Sequence, residues 1–281
     1  MSGALRSAMA KIVGTIGLPH GPNLPALVAR EGDTCETARM FAEVAAELRQ
    51  MRPDVIVIFT TDHLNTFFFE NLPILAIGVA DGFAGPNDEV PGIAGYRVPS
   101  HASLAHHLRA DAVEQGFDPS LAQEFEVDHS TIVPLHFLTP GMQVPVIPIF
   151  ISGHVPPLPP ASRCFAFGEA LRNAVERWPE PLRVVAIGSG SISLDVHGPL
   201  TPPGRPASVP DPAWVQRVRQ HLEGNRVPDL IGESTPARFA RAGNVSGELL
   251  NWIAMLGTIR GQTLAWIKAQ PNEGHAYAVW R

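Results

Sequence analysis

The sequence predicts an α/β fold, with a central, mostly parallel or mixed sheet, helices on both faces and long loops over one edge. Three observations carry that expectation. Val55-Ile56-Val57-Ile58-Phe59 is an unbroken apolar run of β-branched and aromatic residues, which fits a strand covered on both faces. A segment of helical period, Thr34 to Met51, precedes it, so strand and helix alternate. Two further apolar runs, Val144 to Ile151 and Arg183 to Ile187, end in loops of small or polar residues. Open sheets of this kind place ligands beyond the carboxyl ends of their strands.

The chain has 281 residues and is expected to form one domain, 1–281, with a formal charge of -6 and no cluster of Lys or Arg. That balance argues against a nucleic-acid footprint. Eleven His and 28 Pro are both numerous and favour a histidine-using site and long ordered loops. Cys35 and Cys164 have no partner motif and read as reduced thiols of a cytoplasmic protein. Residues 1–10 lack a signal-peptide core, and no run reaches membrane-spanning length.

Each element follows in order. Lys11 to Leu18 reads as a first strand that delivers His20 into a loop turned by Gly21 and Pro22. His20 is either a metal ligand or base, or a loop histidine bonded to backbone. In Thr34 to Met51, Phe41, Val44, Ala45 and Leu48 form one helical face, with Asp33 or Thr34 as N-cap and Arg52-Pro53 as the stop. This β-helix-β unit makes the strands before and after it parallel neighbours, or nearly so, and brings His20 and His63 to one edge. Phe67, Phe68 and Phe69 could wall an apolar pocket or pack in the core.

Leu75 to Val79 is another strand, and Asp81 to Pro99 is long enough for a lid or binding loop. Ser100 is expected to cap a helix running to Gly116, with His101, His106 and His107 as surface residues. Asp128-His129 falls in a loop, as an active-site pair or a plain turn. The two prolines in Val144 to Ile151 place that strand near an edge. Small residues in Gly188-Ser189-Gly190-Ser191-Ile192-Ser193 allow close approach of a ligand. Helices are expected over Phe165 to Trp178, Trp214 to Leu222, Pro236 to Arg241 and Val245 to Ile259, and Thr263 to Lys268 with His275 to Val279 as a closing hairpin. In the last of those helices Glu248 is flanked by residues of buried type, so it either points inward or simply favours the helix N-terminus.

His20, His63 and Glu248 make two histidines and a carboxylate, the facial set that holds non-haem Fe(II). The same set can hold catalytic zinc, which leaves a zinc-dependent hydrolase as an alternative.

Five short motifs extend this. They are Pro19-His20-Gly21, Asp62-His63-Leu64-Asn65-Thr66-Phe67-Phe68, Asp128-His129-Ser130 with Val133-Pro134-Leu135, Gly188-Ser189-Gly190-Ser191-Ile192-Ser193, and Gly247-Glu248-Leu249 with Trp252. In this order, over nearly the whole chain, they resemble the class III extradiol ring-cleavage dioxygenases, the family of the protocatechuate 4,5-dioxygenase β subunit. The resemblance implies Fe(II) held by His20, His63 and Glu248. It implies an aromatic diol that chelates the metal through both hydroxyls and is opened with O2. It also implies that His129 touches substrate. Where such proteins usually carry a catalytic histidine after the Gly-Ser-Gly motif, this chain has Leu194, with His197 three residues later. Either His197 substitutes, or His129 acts alone, or the chain is a non-catalytic binding member. A homo-oligomer and a small second subunit are both compatible with the resemblance.

Overall fold

The computed structural model describes residues 9–196 and 207–281. The elements run β1 (Lys11–Leu18), α1 (Leu24–Glu31), α2 (Glu36–Met51), β2 (Val55–Thr60), β3 (Leu75–Gly78), β4 (Gly82–Gly85), β5 (Tyr96–Pro99), α3 (Ala102–Glu114), β6 (Ser120–Ala122) and α4 (His129–Leu138). Then follow β7 (Val146–Ile151), α5 (Ala161–Arg177), β8 (Arg183–Ser189), α6 (Pro212–Glu223), α7 (Val227–Glu233), α8 (Pro236–Ala242), α9 (Leu249–Gly257), β9 (Leu264–Gln270) and β10 (His275–Trp280).

Among the described residues, eight strands form one sheet in the order β6-β3-β7-β2-β8-β1-β10-β9, and β4 and β5 pair separately as a hairpin. The middle of the sheet, β7-β2-β8-β1, is parallel throughout. Antiparallel pairs flank it, β3 on one side and β10 with β9 on the other. The mixed sheet and closing hairpin agree with the sequence. All six residues of β2 are buried, and its alternate side chains feed opposite layers. Val55, Val57 and Phe59 pack into the layer built with α3, α5, α6 and α9, while Ile56 and Ile58 face α2 and α4.

Several local expectations change. β1 and β2 are parallel and close, as expected, but not adjacent: β8, far later in the chain, lies between them and is parallel to both. β7 is an interior strand although it holds Pro148 and follows Pro145. Its pairing with β3 ends at Ile149, so Pro148 sits just past that ladder, where a missing N–H interrupts no pair on that side. The cap of α2 is Cys35, whose Sγ accepts from the Ala38 N–H, rather than Asp33 or Thr34. The cap of α3 is His101, whose imidazole accepts from the Leu104 N–H, rather than Ser100. Asp128 and His129 are not in a loop: Asp128 caps α4 and His129 is its first residue. Helices α1 and α7 had no clear signal, each being short and starting at a Pro-containing turn.

No helix among the described residues is long and apolar enough to cross a membrane.

Candidate metal centre

Because the middle strands are parallel, their carboxyl ends open on one side of the sheet. β1 leads to His20, β2 to Asp62 and His63, β7 to His154, and β8 to Ser189 and Ser191. Glu248 comes from the opposite direction, in a single 3₁₀ turn, Ser246–Glu248, that runs directly into α9.

Helix α9 is held over these ends by polar groups. The Asn251 side-chain amide donates to the Ser189 carbonyl at 2.8 Å and to Thr61 Oγ1 at 3.0 Å. Thr61 Oγ1 in turn donates to the Ile151 carbonyl at 2.9 Å. Trp252 Nε1 donates to the Gly190 carbonyl at 3.1 Å. Three strand ends are thus tied to one helix. Gly190 is needed for this approach, since a Cβ there would lie 2.6 Å from the Glu248 Cβ.

The Glu248 carboxylate is almost fully buried. Its Oε2 accepts from the Ser191 N–H at 2.6 Å. Its Oε1 faces three imidazoles: His20 Nε2 at 3.2 Å, His63 Nε2 at 3.2 Å and His154 Nε2 at 3.4 Å. Ligand atoms of His63, His154 and Glu248 lie within 4.8 Å of one another, and so do those of His20, His63 and His129.

The far nitrogens of two rings are fixed. Ser189 Oγ donates its only proton to the Ser130 carbonyl at 2.7 Å, so toward His20 Nδ1, 2.9 Å away, it can only accept. His20 therefore carries its proton on Nδ1 and turns a bare Nε2 to the site. His63 Nδ1 lies 2.8 Å from Asp128 Oδ2, and a carboxylate accepts, so His63 also carries a proton on Nδ1 and turns its Nε2 to the site. Both Nε2 atoms then face one carboxylate oxygen. That arrangement repels itself unless a proton or a cation lies between the atoms, and the donor set is one that holds divalent metals.

Electrostatics agree. Burial alone would lower the His63 pKa, but the Asp128 and Glu248 carboxylates more than offset this and push it up to about 10. Burial works against the charge on Glu248 too, yet His20 and the other imidazoles hold its carboxyl well below the usual range. Asp128 behaves likewise, held down by His63. Burial, reinforced by His63, lowers the His154 imidazole to about 3.

His129 stands beside this group, with its ring 4.2 Å from that of His63 and 5.4 Å from that of His20. Its Nδ1 is 2.5 Å from Asp88 Oδ2, and its backbone N–H donates to Asp88 Oδ1 at 3.0 Å. The long segment between β4 and β5 thus reaches the site through Asp88. Burial lowers the His129 pKa, the nearby His63 adds to this, and Asp88 opposes it.

All four described candidates, His20, His63, His129 and Glu248, are brought together. His197 lies outside the described residues. Leu194 is half-buried, and its carbonyl accepts from the Val245 N–H. Of the three phenylalanines only Phe67 turns inward. It packs on Phe150 and lines a pocket with Asp62, Leu64 and His154, whereas Phe68 and Phe69 are exposed.

Sequence reasoning missed two residues. His154 follows β7 as His63 follows β2, and that parallel was the available signal. Asp88 gave none, being one acid among several in a long loop.

Comparison with known proteins is consistent with this geometry. The chain is 28% identical, over 86% of its length and 88% of the relative, to a 2,3-dihydroxyphenylpropionate/2,3-dihydroxicinnamic acid 1,2-dioxygenase of Mycolicibacterium smegmatis. It is 30% identical to a gallate dioxygenase of Pseudomonas putida over 64% of this chain and 50% of that protein. The crystal structure of an uncharacterized protein from Escherichia coli K12 superposes with a TM-score of 0.58, covering 95% of this chain and 99% of that one at 15% identity, a likeness of fold. Residues 14–278 match the family described as the catalytic LigB subunit of aromatic ring-opening dioxygenase. The chain belongs to that family of metal-dependent, extradiol ring-opening dioxygenases.

Proposed function

We propose that the chain is an Fe(II)-dependent extradiol dioxygenase that opens a substituted catechol or related hydroxylated aromatic, with His20, His63 and Glu248 as metal ligands and His129 as the proton-transferring group. The observation that carries the reading is the approach of two imidazole Nε2 atoms to one buried carboxylate oxygen, at 3.2 Å for both His20 and His63. When bound, the ferrous ion supplies the redox partner that lets a diol and O2 react. The rest is the work of this chain.

Asp128 and Ser189 keep His63 and His20 in the ligating tautomer and fix their ring planes. Asp88 does the same for His129, which leaves His129 Nε2 as the atom that takes a proton from a substrate hydroxyl and later returns one. The wall of Phe67 and Phe150 gives an apolar surface for an aromatic ring. Relatives named for 2,3-dihydroxyphenylpropionate and for gallate suggest a diol carrying a carboxylate. Two of the chain's arginines are committed elsewhere. Arg183 opens β8, at the opposite end of that strand from Ser189, and Arg163 lies over Phe117. Free thiols at Cys35 and Cys164 suit a reducing, cytoplasmic setting.

The test is anaerobic reconstitution with Fe(II), followed by a panel of catechols, gallate and carboxylated catechols. O2 uptake with a yellow ring-fission product is expected for at least one of them. Absence of both across the panel, with Fe(II) demonstrably bound, overturns the reading.

A further inference from the structure

We infer that His154 and the small pocket beside it form a hydroxyl subsite, so that the substrate of this chain is a ring carrying a third hydroxyl next to its diol. This rests on the dioxygenase reading above and leaves its three metal ligands as they are. Of the groups gathered at the centre, His154 alone also lines the pocket that Phe67 and Phe150 wall. It therefore stands where the centre and the pocket meet. Its ring lies 4.4 Å from that of His63, tilted by 42°. Its Nε2 is buried, comes within 3.4 Å of Glu248 Oε1, and makes no hydrogen bond. A buried imidazole nitrogen left this way needs an explanation, since such groups are ordinarily paired.

The pocket sets both size and polarity. Its interior has about 10 Å³ of free volume, room for one water-sized substituent rather than a ring. Leu64, Phe67, Leu72 and Phe150 make its lining largely apolar. Asp62, the other ionisable group there, is already committed: its carboxylate accepts from the Thr66 and Phe67 backbone N–H groups at 3.0 and 2.9 Å. His154 is left to meet whatever enters. A neutral imidazole offers one donor and one acceptor, and a hydroxyl can answer either. A methyl group of the same size would leave the nitrogen unpaired, and a methoxy group would overfill the space. The backbone holds this subsite against the centre. A Cβ on Gly247 would lie 2.0 Å from the Gly153 carbonyl oxygen, so a side chain there would push the turn that carries His154 away from Glu248. A diol held at the centre thus presents the substituent on its adjoining ring carbon to His154.

The test is anaerobic calorimetry on the full chain loaded with Zn(II), which binds a diol without turning it over. Three ligands are compared: 1,2,3-trihydroxybenzene, 3-methylcatechol and 3-methoxycatechol. The trihydroxy ring is expected to bind about tenfold or more tighter than either of the others. In H154L its advantage over 3-methylcatechol should shrink to within about threefold, while the methoxy compound stays the weakest of the three. The inference falls if the unsubstituted protein binds the trihydroxy and methyl rings within threefold of each other. It also falls if H154L folds and keeps the full preference. The comparison on the unsubstituted protein decides the matter even if H154L does not fold. Binding without preference, accompanied by O2 uptake when Fe(II) replaces Zn(II), sinks the subsite and leaves the dioxygenase reading intact. If no diol binds to the Zn(II) protein and none consumes O2 with Fe(II), the dioxygenase reading falls and takes the subsite with it.

Discussion

Asp128 shows how much one side chain settles. Its Oδ1 accepts from the Ser130 N–H at 2.9 Å and from the Ser130 hydroxyl, capping α4. Its Oδ2 accepts from both the backbone N–H and the ring of His63, each at 2.8 Å. One carboxylate thus starts a helix and holds the proton of His63 Nδ1 in place. Asp128→Asn keeps the shape but loses the charge, and should weaken metal binding about 10- to 100-fold; chelator competition measures it. His129→Ala should instead leave metal content unchanged and cut turnover about 10²- to 10⁴-fold, read by steady-state O2 uptake against metal analysis of the same sample. His20, His63, His129 and Glu248 were legible because each sits in a motif of several residues. His154 was not, because Gly153-His154-Val155 has no such surroundings, and its significance depends on a contact with a turn 94 residues later, between Gly153 and Gly247.

Helix α9 is the element on which the centre depends. Its apolar face was visible in Leu249, Trp252, Ile253 and Leu256, all buried. What the pattern could not show was that Asn251, fully buried among them, is the polar tie to the ends of β8 and β2. Asn251→Leu strands the Ser189 carbonyl and should cost about 1–3 kcal/mol, seen as a lower urea midpoint. Gly190→Ala attacks the same interface from the strand side. Its new methyl meets the Glu248 backbone and Cβ, so it should reduce metal affinity more than it reduces stability, a split that parallel urea and metal titrations would detect. The interior place of β7 was hidden for a related reason. Pro148 argues for an edge, and the early end of the β3 ladder makes it tolerable.

For the whole molecule, the metal-free protein should be labile to acid. Burial holds His275 down at about 4, with Glu248 opposing in part, and His154 down at about 3. In the unfolded chain both take up protons near pH 6.5. Between there and pH 4 the unfolded state binds more protons than the folded one, so stability falls as pH falls. His63 works in the other direction. Its pKa, raised to about 10, adds stability that is complete below pH 6.5 and lost as pH climbs through 10. The urea midpoint of the metal-free protein should therefore drop between pH 6.5 and 4.5, and His275→Gln should flatten that drop. An unchanged slope in the variant would count against a neutral, buried His275.

The position of β8 between β1 and β2 has a consequence for synthesis. When a ribosome has made the first 180 residues, β1 and β2 both exist, but the strand that must separate them does not. The parallel middle of the sheet closes only after residue 189, and Glu248 arrives later still. Four histidines of the centre are thus present in a nascent chain that has neither the platform to align them nor the carboxylate to join them. Because pairing of such distant segments is slow, the finished centre forms near the end of folding. A truncated product ending before β8 would carry loose histidines without a defined metal site, and metal loading should track completion of the chain.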